Sequence, residues 1–303
     1  MSRPVDVAVI GLGAMGLPIA RNLVAAGLDI VGVEPSPERR AAANDFPVVG
    51  GLADCPESEI VLVMVASPEQ LTAVVDSAAE SAVATSTWII SGTVGPDAVS
   101  AQAQRLQRGG ARVVDAPVTG GVAGAVAATL TLFVSGGVED IATAMPVLQA
   151  LGSPETVGTD LGDGQVMKLI NQHLCTVHLA AAAEALSLAG RLGLDRDRAL
   201  DLLGRGGAAS WMLADRGPRM LARPGTVNSS VDIFVKDSHL VQEAAAHSGA
   251  PVPILETAAS RFDTAHELGL GTADDAQIIT VYDADGGASR AGEGGAARTS
   301  KPA

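Results

Sequence analysis

The 303-residue sequence predicts an α/β N-terminal domain on a mainly parallel sheet, a long connecting helix and an all-α C-terminal domain. Three observations carry that prediction. Between Val5 and Val157, short β-rich apolar runs alternate with helical patterns, the sequence form of βαβ units. From Gln165 to Leu192 one helical pattern, rich in Ala and Leu, continues without a proline and is long enough to link two domains. Beyond it, to Asp283, helical periodicities are broken by Gly and Pro clusters, with Val231 to Val235 the exceptional β-branched run.

In order along the chain, strands are expected over Val5 to Ile10, Asp29 to Val33, Ile60 to Val65, Trp88 to Ser91, Arg112 to Ala116, Leu130 to Ser135 and Glu155 to Val157. Helices are expected over Met15 to Ala26, Pro37 to Asp45, Pro68 to Ala79, Pro96 to Gln107 and Ile141 to Leu151. Prolines 37, 68 and 96 sit where the first helical turn tolerates a missing N–H. The reading assigns 1–163 to the first domain, 164–283 to the connecting helix and second domain, and 284–303 to a Gly- and Ala-rich tail too poor in apolar surface to order itself.

Composition narrows the function. With 47% hydrophobic and 18% charged residues, the chain has ample material for a core. Its net charge of -14 repels phosphate backbones and anionic membranes, so nucleic acid and membrane surfaces are disfavoured as partners. Two cysteines far apart, Cys55 and Cys175, suit a reduced cytoplasmic protein better than a disulfide framework. No signal-type apolar segment opens the sequence, and a soluble protein is expected. Among 20 basic residues, lysine occurs only at 168, 236 and 301. Its compact, deprotonatable ammonium differs chemically from guanidinium, although codon bias would also produce that count.

Gly11-Leu-Gly-Ala-Met-Gly16 follows the strand VDVAVI and opens a helical pattern. That strand–turn–helix context marks a Rossmann dinucleotide site. Gly11 permits the tight turn, Gly13 admits a pyrophosphate and Gly16 allows helix and strand to pack, with Leu12 and Met15 among the cofactor contacts. Glu34, eighteen residues after Gly16, is placed to accept hydrogen bonds from the adenosine ribose, which favours NAD over NADP. Arg39 and Arg40 lie near enough to keep NADP open, and Glu34 also reads as a solvated strand-end acid.

The sequence resembles the β-hydroxyacid dehydrogenases, the family that includes 3-hydroxyisobutyrate dehydrogenase, from about residue 5 to residue 283. GLGAMGLPIARNL looks like its cofactor motif, Asp115-Ala-Pro-Val-Thr-Gly-Gly121 like its substrate motif, Gly164-Gln-Val-Met-Lys168-Leu-Ile-Asn171 like its catalytic motif and Lys236-Asp237 like its late KD motif. Stretches 210–216, 231–237 and 274–282 look most similar to family members that oxidise a four-carbon sugar acid. Two positions depart from the pattern: Thr119 stands where the family usually has Ser, and Ser238 where it usually has an aliphatic residue. The resemblance implies an NAD-dependent oxidoreductase acting on a small hydroxy acid, working as a homodimer.

Oxidising a secondary alcohol needs a base for the hydroxyl proton as hydride leaves the carbon. Lys168 is chosen for that role, as the only internal lysine before the second domain, and on a helix Asn171, Gln172 and Cys175 share its face. Asn171 is placed to orient Lys168 or a substrate hydroxyl. A snorkelling surface lysine is the alternative. Thr119, Gly120 and Gly121 are implied to hold the substrate carboxylate, although a plain turn fits the glycines equally. Thr93 resembles the family's contact near the nicotinamide, or caps the helix that follows. Lys236 is implied in cofactor or carboxylate binding, or pairs with Asp237. Histidines 173 and 178, five apart, do not align as metal ligands, so no metal is expected. Trp211 and Met212 read as packing residues or as a cover on the substrate pocket. A 3-hydroxyisobutyrate-type or semialdehyde-reducing enzyme, and a cofactor-binding protein without turnover, stay as alternatives.

Overall fold

The structure is a computed structural model that describes residues 3–223 and 225–285. Contacts divide it into two units that meet in the sequence between Asn171 and Gln172. Most of the predicted tail, 286–303, lies outside the described residues.

The first unit runs β1 (Val5–Ile10), α1 (Gly16–Ala25), β2 (Ile30–Val33), α2 (Pro37–Ala42), β3 (Val48–Val49), β4 (Ser58–Val63), α3 (Pro68–Ala78), β5 (Thr87–Ile90), α4 (Pro96–Arg108), β6 (Arg112–Asp115), β7 (Val118–Thr119), α5 (Gly121–Ala127), β8 (Leu130–Gly136), α6 (Val138–Leu151) and β9 (Gly152–Gly158). The sheet order is β3-β2-β1-β4-β5-β6-β8-β7, with β9 against β8. Pairing from β3 through β6 is parallel. The chain leaves β1 toward β2 and β3, then returns to its other side as β4. Such a reversal opens a crevice at the strand C-termini, where open α/β sheets bind ligands.

Successive strand residues feed opposite faces. Val7 and Val9 join a core completed by Ile19, Leu23, Val147 and Leu148, whereas Ala8 and Ile10 join one completed by Leu71, Val75, Val99 and Ala103. Helices therefore cover both sides, which is why these strands are continuously apolar rather than alternating. Ser36 and Ser67 cap α2 and α3 by accepting from the N–H groups of Arg39 and Gln70, and Pro37 and Pro68 fill the first helical positions.

The sequence pattern missed β3, β7 and α5. Two-residue strands carry no periodicity, and the Gly- and Ala-rich stretch after Thr119 reads equally as loop or helix. The sheet is also not parallel throughout: β8 runs antiparallel to β6 and β7. Its short connection from β6, through α5, doubles the chain back instead of making a long crossover.

α7 (Asp163–Arg191) is one 29-residue helix that carries the chain into the second unit. There follow α8 (Arg196–Leu203), α9 (Trp211–Leu221), α10 (Val231–Ser248), α11 (Pro253–Ala265) and α12 (Ile279–Asp285). Leu179, Ala183, Leu186, Phe234, Phe262 and Ile278 belong to its core, with the Phe234 and Phe262 rings stacked at 5.0 Å. The β-branched run 231–235 is helical because Val231 and Phe234, three apart, bury one face; tertiary burial outweighs intrinsic strand preference. A buried ion network ties α9 to residues 274 and 275: Arg216 Nη2 lies 2.9 Å from Asp275, and Arg219 reaches Asp274 at 2.9 Å and Asp275 at 3.0 Å. Among the described residues no helix is long and apolar enough to cross a membrane.

Candidate functional site

The glycine turn joins β1 to α1 at the strand C-termini. Gly11 has φ +88°, and a Cβ there would stand 2.4 Å from the Met64 carbonyl oxygen; a Cβ on Gly16 would stand 1.8 Å from that of Gly11. Any side chain at either position would force the strand and helix apart. Gly13 is different: a Cβ there meets only Arg39 Nη1, at 3.9 Å, among the described residues. The turn is thus closed where it packs and open where a pyrophosphate approaches, and the first turn of α1 offers N–H groups and the positive end of the helix dipole. These residues fit a dinucleotide.

Glu34, directly after β2, is 2% exposed. Its Oε2 accepts from the Leu12 N–H at 2.9 Å and its Oε1 from the Ser36 N–H at 2.9 Å. The carboxylate fixes the glycine turn, a role its sequence spacing did not reveal. Arg40 Nη1 donates to the carbonyls of Glu34 and Pro35, which ties one nitrogen of its guanidinium to the backbone.

Thr93 lies in the loop after β5, Thr119 ends β7, and Gly120 and Gly121, at φ +125° and +64°, lead into α5. Lys168 and Asn171 lie on the early turns of α7, within the first unit. Lys168 is 7% exposed, Asn171 is half-buried, and Val166, Met167 and Ile170 face outward. The uninterrupted helix keeps Lys168, Asn171, Gln172 and Cys175 on a single less exposed face, the spacing expected from the sequence.

Two residues quoted in motifs without a role, Asp115 and Gln165, are buried and bonded to each other. Asp115, at the end of β6, is fully buried. Its Oδ2 accepts from the Gln165 N–H at 2.9 Å and from Ser135 Oγ at 3.3 Å, and its Oδ1 accepts from Gln165 Nε2 at 3.0 Å. Burial pushes its carboxyl up to about 6, against the hydrogen bonds from Gln165 and Ser135 that hold it down. Gly164, between that carboxylate and the carbonyl of Phe133, has no room for a Cβ.

Lys236 belongs to the second unit, on α10. Its Nζ pairs with Asp237 Oδ1 at 2.8 Å, and Asp237 Oδ2 accepts from Gln172 Nε2 at 2.5 Å. The ion pair weighed for Lys236 is therefore present. Cys55 is buried and Cys175 half-buried.

Residues 6–166 match the NAD binding domain of 6-phosphogluconate dehydrogenase, and residues 162–282 match the family described as NAD-binding of NADP-dependent 3-hydroxyisobutyrate dehydrogenase. L-Threonate dehydrogenase of Cupriavidus necator is 37% identical over 289 residues, spanning 93% of this chain and 97% of that protein. L-Threonate dehydrogenase of Haemophilus influenzae is 32% identical, over 91% of this chain and 95% of that protein. The crystal structure of 3-hydroxyisobutyrate dehydrogenase from Salmonella typhimurium superposes with a TM-score of 0.85 at 30% identity, covering 91% of this chain and 99% of that one.

Proposed function

The chain belongs to the 3-hydroxyisobutyrate dehydrogenase-like family of NAD-dependent hydroxyacid dehydrogenases, and from that premise we propose that its substrate is a four-carbon sugar acid such as L-threonate, with Lys168 as the general acid/base. The substrate assignment is supported by the two L-threonate dehydrogenases at 37% and 32% identity. The role of Lys168 is carried by one observation: it is a buried lysine one turn along α7 from a side chain bonded to the loop that carries Thr93.

Bound NAD supplies the hydride acceptor. Lys168 Nζ takes the hydroxyl proton as the carbon–hydrogen bond breaks, and returns it when the reaction runs backward. Accepting that proton requires the neutral amine. Asn171, at the next turn, orients Lys168 or the hydroxyl. Thr119, Gly120 and Gly121 offer a hydroxyl and backbone N–H groups to the substrate carboxylate. Lys236 adds a cation for the carboxylate or cofactor in the same reading. Glu34 faces the adenosine ribose. The working form is a homodimer, supported by the exposed row Val166, Ile170 and Leu174 on α7, and the low cysteine content, Cys55 and Cys175 far apart in sequence, supports a cytoplasmic setting.

A panel of L-threonate, its stereoisomers, 3-hydroxyisobutyrate and short semialdehydes, assayed with NAD and NADP by nicotinamide absorbance, tests the substrate. Preference for 3-hydroxyisobutyrate transfers the assignment to that acid, the reading favoured by the Salmonella structure. Lys168→Ala should lower kcat by about 10²–10⁴-fold while NADH still binds. Undiminished turnover in that variant rules out the lysine.

A further inference from the structure

We infer that Gln165 is a positioning residue for the reaction, its buried amide locking the 92–95 loop and the first turn of α7 together so that Lys168 and Thr93 hold a fixed relation. The inference rests on the proposed role of Lys168. Gln165 is 0% exposed. Its Oε1 accepts from the N–H groups of Val94 and Gly95, each at 3.0 Å. Its Nε2 donates to the Gly92 carbonyl at 3.1 Å and to Asp115 Oδ1 at 3.0 Å. A primary amide has two acceptor sites and two N–H donors, and all four are engaged. The orientation is fixed as well, since a flipped amide would set donor against donor at the loop and acceptor against acceptor at Asp115.

The lower end of this arrangement is equally closed. Asp115 Oδ2 takes the backbone N–H of Gln165, and Ser135 Oγ accepts from the Gly164 N–H at 3.0 Å. Two N–H groups at the start of α7, which a helix leaves without partners, thereby end on β6 and β8. Gln165 and Lys168 are three apart, neighbours on one helix face. A shift of the helix start relative to the loop moves the amine relative to Thr93. An ordinary buried glutamine stabilises the fold without needing to join segments 70 and more residues apart in sequence. This one joins the loop holding the proposed nicotinamide contact, the strand leading to the proposed carboxylate loop and the helix bearing the proposed base.

Gln165→Met keeps the length of the side chain and deletes all four bonds. With the folded variant, kcat should fall by about 30–100-fold, as for a misplacement near 1 Å, while KM for the hydroxy acid and the NADH dissociation constant change by less than about threefold. A purely structural role would lower the melting temperature and leave kcat per folded molecule within about twofold of wild type, and that result overturns the inference. Amide hydrogen exchange on the wild type decides the matter should the variant fail to fold: Val94 and Gly95 should be strongly protected although they lie in a loop, and exchange at open-loop rates overturns the inference. A wild type inactive on every hydroxy acid overturns the reading on which it rests; an active wild type with an unimpaired Gln165→Met overturns this inference alone.

Discussion

The backbone N–H of Leu12, in the middle of the glycine turn, donates to Oε2 of Glu34 at 2.9 Å. With Oε1 held by the Ser36 N–H, the carboxylate spans the turn and the end of β2, so the acid expected to read the ribose also shapes the phosphate loop. Glu34→Gln would turn one acceptor into a donor facing a buried N–H. Hydrogen bonds to charged groups are worth about 1.5–3 kcal/mol. NAD affinity should therefore weaken by about tenfold or more. Fluorescence titration with NADH checks this, and unchanged affinity would show that the turn holds its shape without the carboxylate.

Arg39 and Arg40, read together from the sequence as possible phosphate contacts, separate in the structure. Arg40 is bound to two backbone carbonyls, whereas Arg39 Nη1 stands 3.9 Å from the Cβ position of Gly13, with its side chain exposed. Arg39→Ala should reduce kcat/KM with NADP by about tenfold and with NAD by less than threefold, because the additional phosphate depends most on a nearby cation. Equal losses with both cofactors would place the guanidinium on the shared pyrophosphate instead.

Asp115 gives stability a pH signature. Its carboxyl titrates near 6 in the folded protein, and near 3.9 in an unfolded chain. Between those values the native state binds more protons, so the Asp115 contribution strengthens the fold as pH falls through 6 and is lost as pH rises through it. The difference is on the order of 3 kcal/mol across the window. Thermal unfolding of wild type and Asp115→Asn at several pH values isolates this contribution: the gap between them should change in favour of wild type on acidification. A gap that stays constant from pH 4 to pH 7.5 would contradict the assignment.

How far the sequence disclosed this arrangement depends on how local each constraint is. Gly11 and Gly16 were legible because a backbone that cannot accept a Cβ leaves its mark on residue identity. Lys168 stood out because arginine otherwise serves nearly every cationic position. Gln165 and Asp115 gave no such signal: a glutamine on a helix and an aspartate at a strand end are ordinarily solvated, and the partners that hold these two lie 20 to 73 residues away in sequence. The same holds for α5, where small residues permit a loop or a helix and packing against Leu130 decides.

The ion network of the second unit was also invisible in sequence, and it makes the sharpest stability prediction. Arg216 and Asp275 are each buried, their side chains 9% and 0% exposed, and burial raises the Asp275 carboxyl although Arg216 opposes it. Arg216 also stands over the Trp211 ring, 5.4 Å from its centroid. Arg216→Met keeps much of the aliphatic contact but leaves Asp275 to Arg219 alone. Breaking a buried pair from one side costs about 3–5 kcal/mol, whereas removing both charges is often far milder. Arg216→Met should therefore unfold at markedly lower denaturant, and Arg216→Met with Asp275→Leu should recover part of the loss. The single variant should also regain stability as pH falls, since protonating a carboxyl already raised by burial removes the uncompensated charge from the folded state. If the two substitutions simply add, or if the deficit of Arg216→Met is the same at pH 5 and pH 7.5, the pair is not the energetic unit its geometry describes.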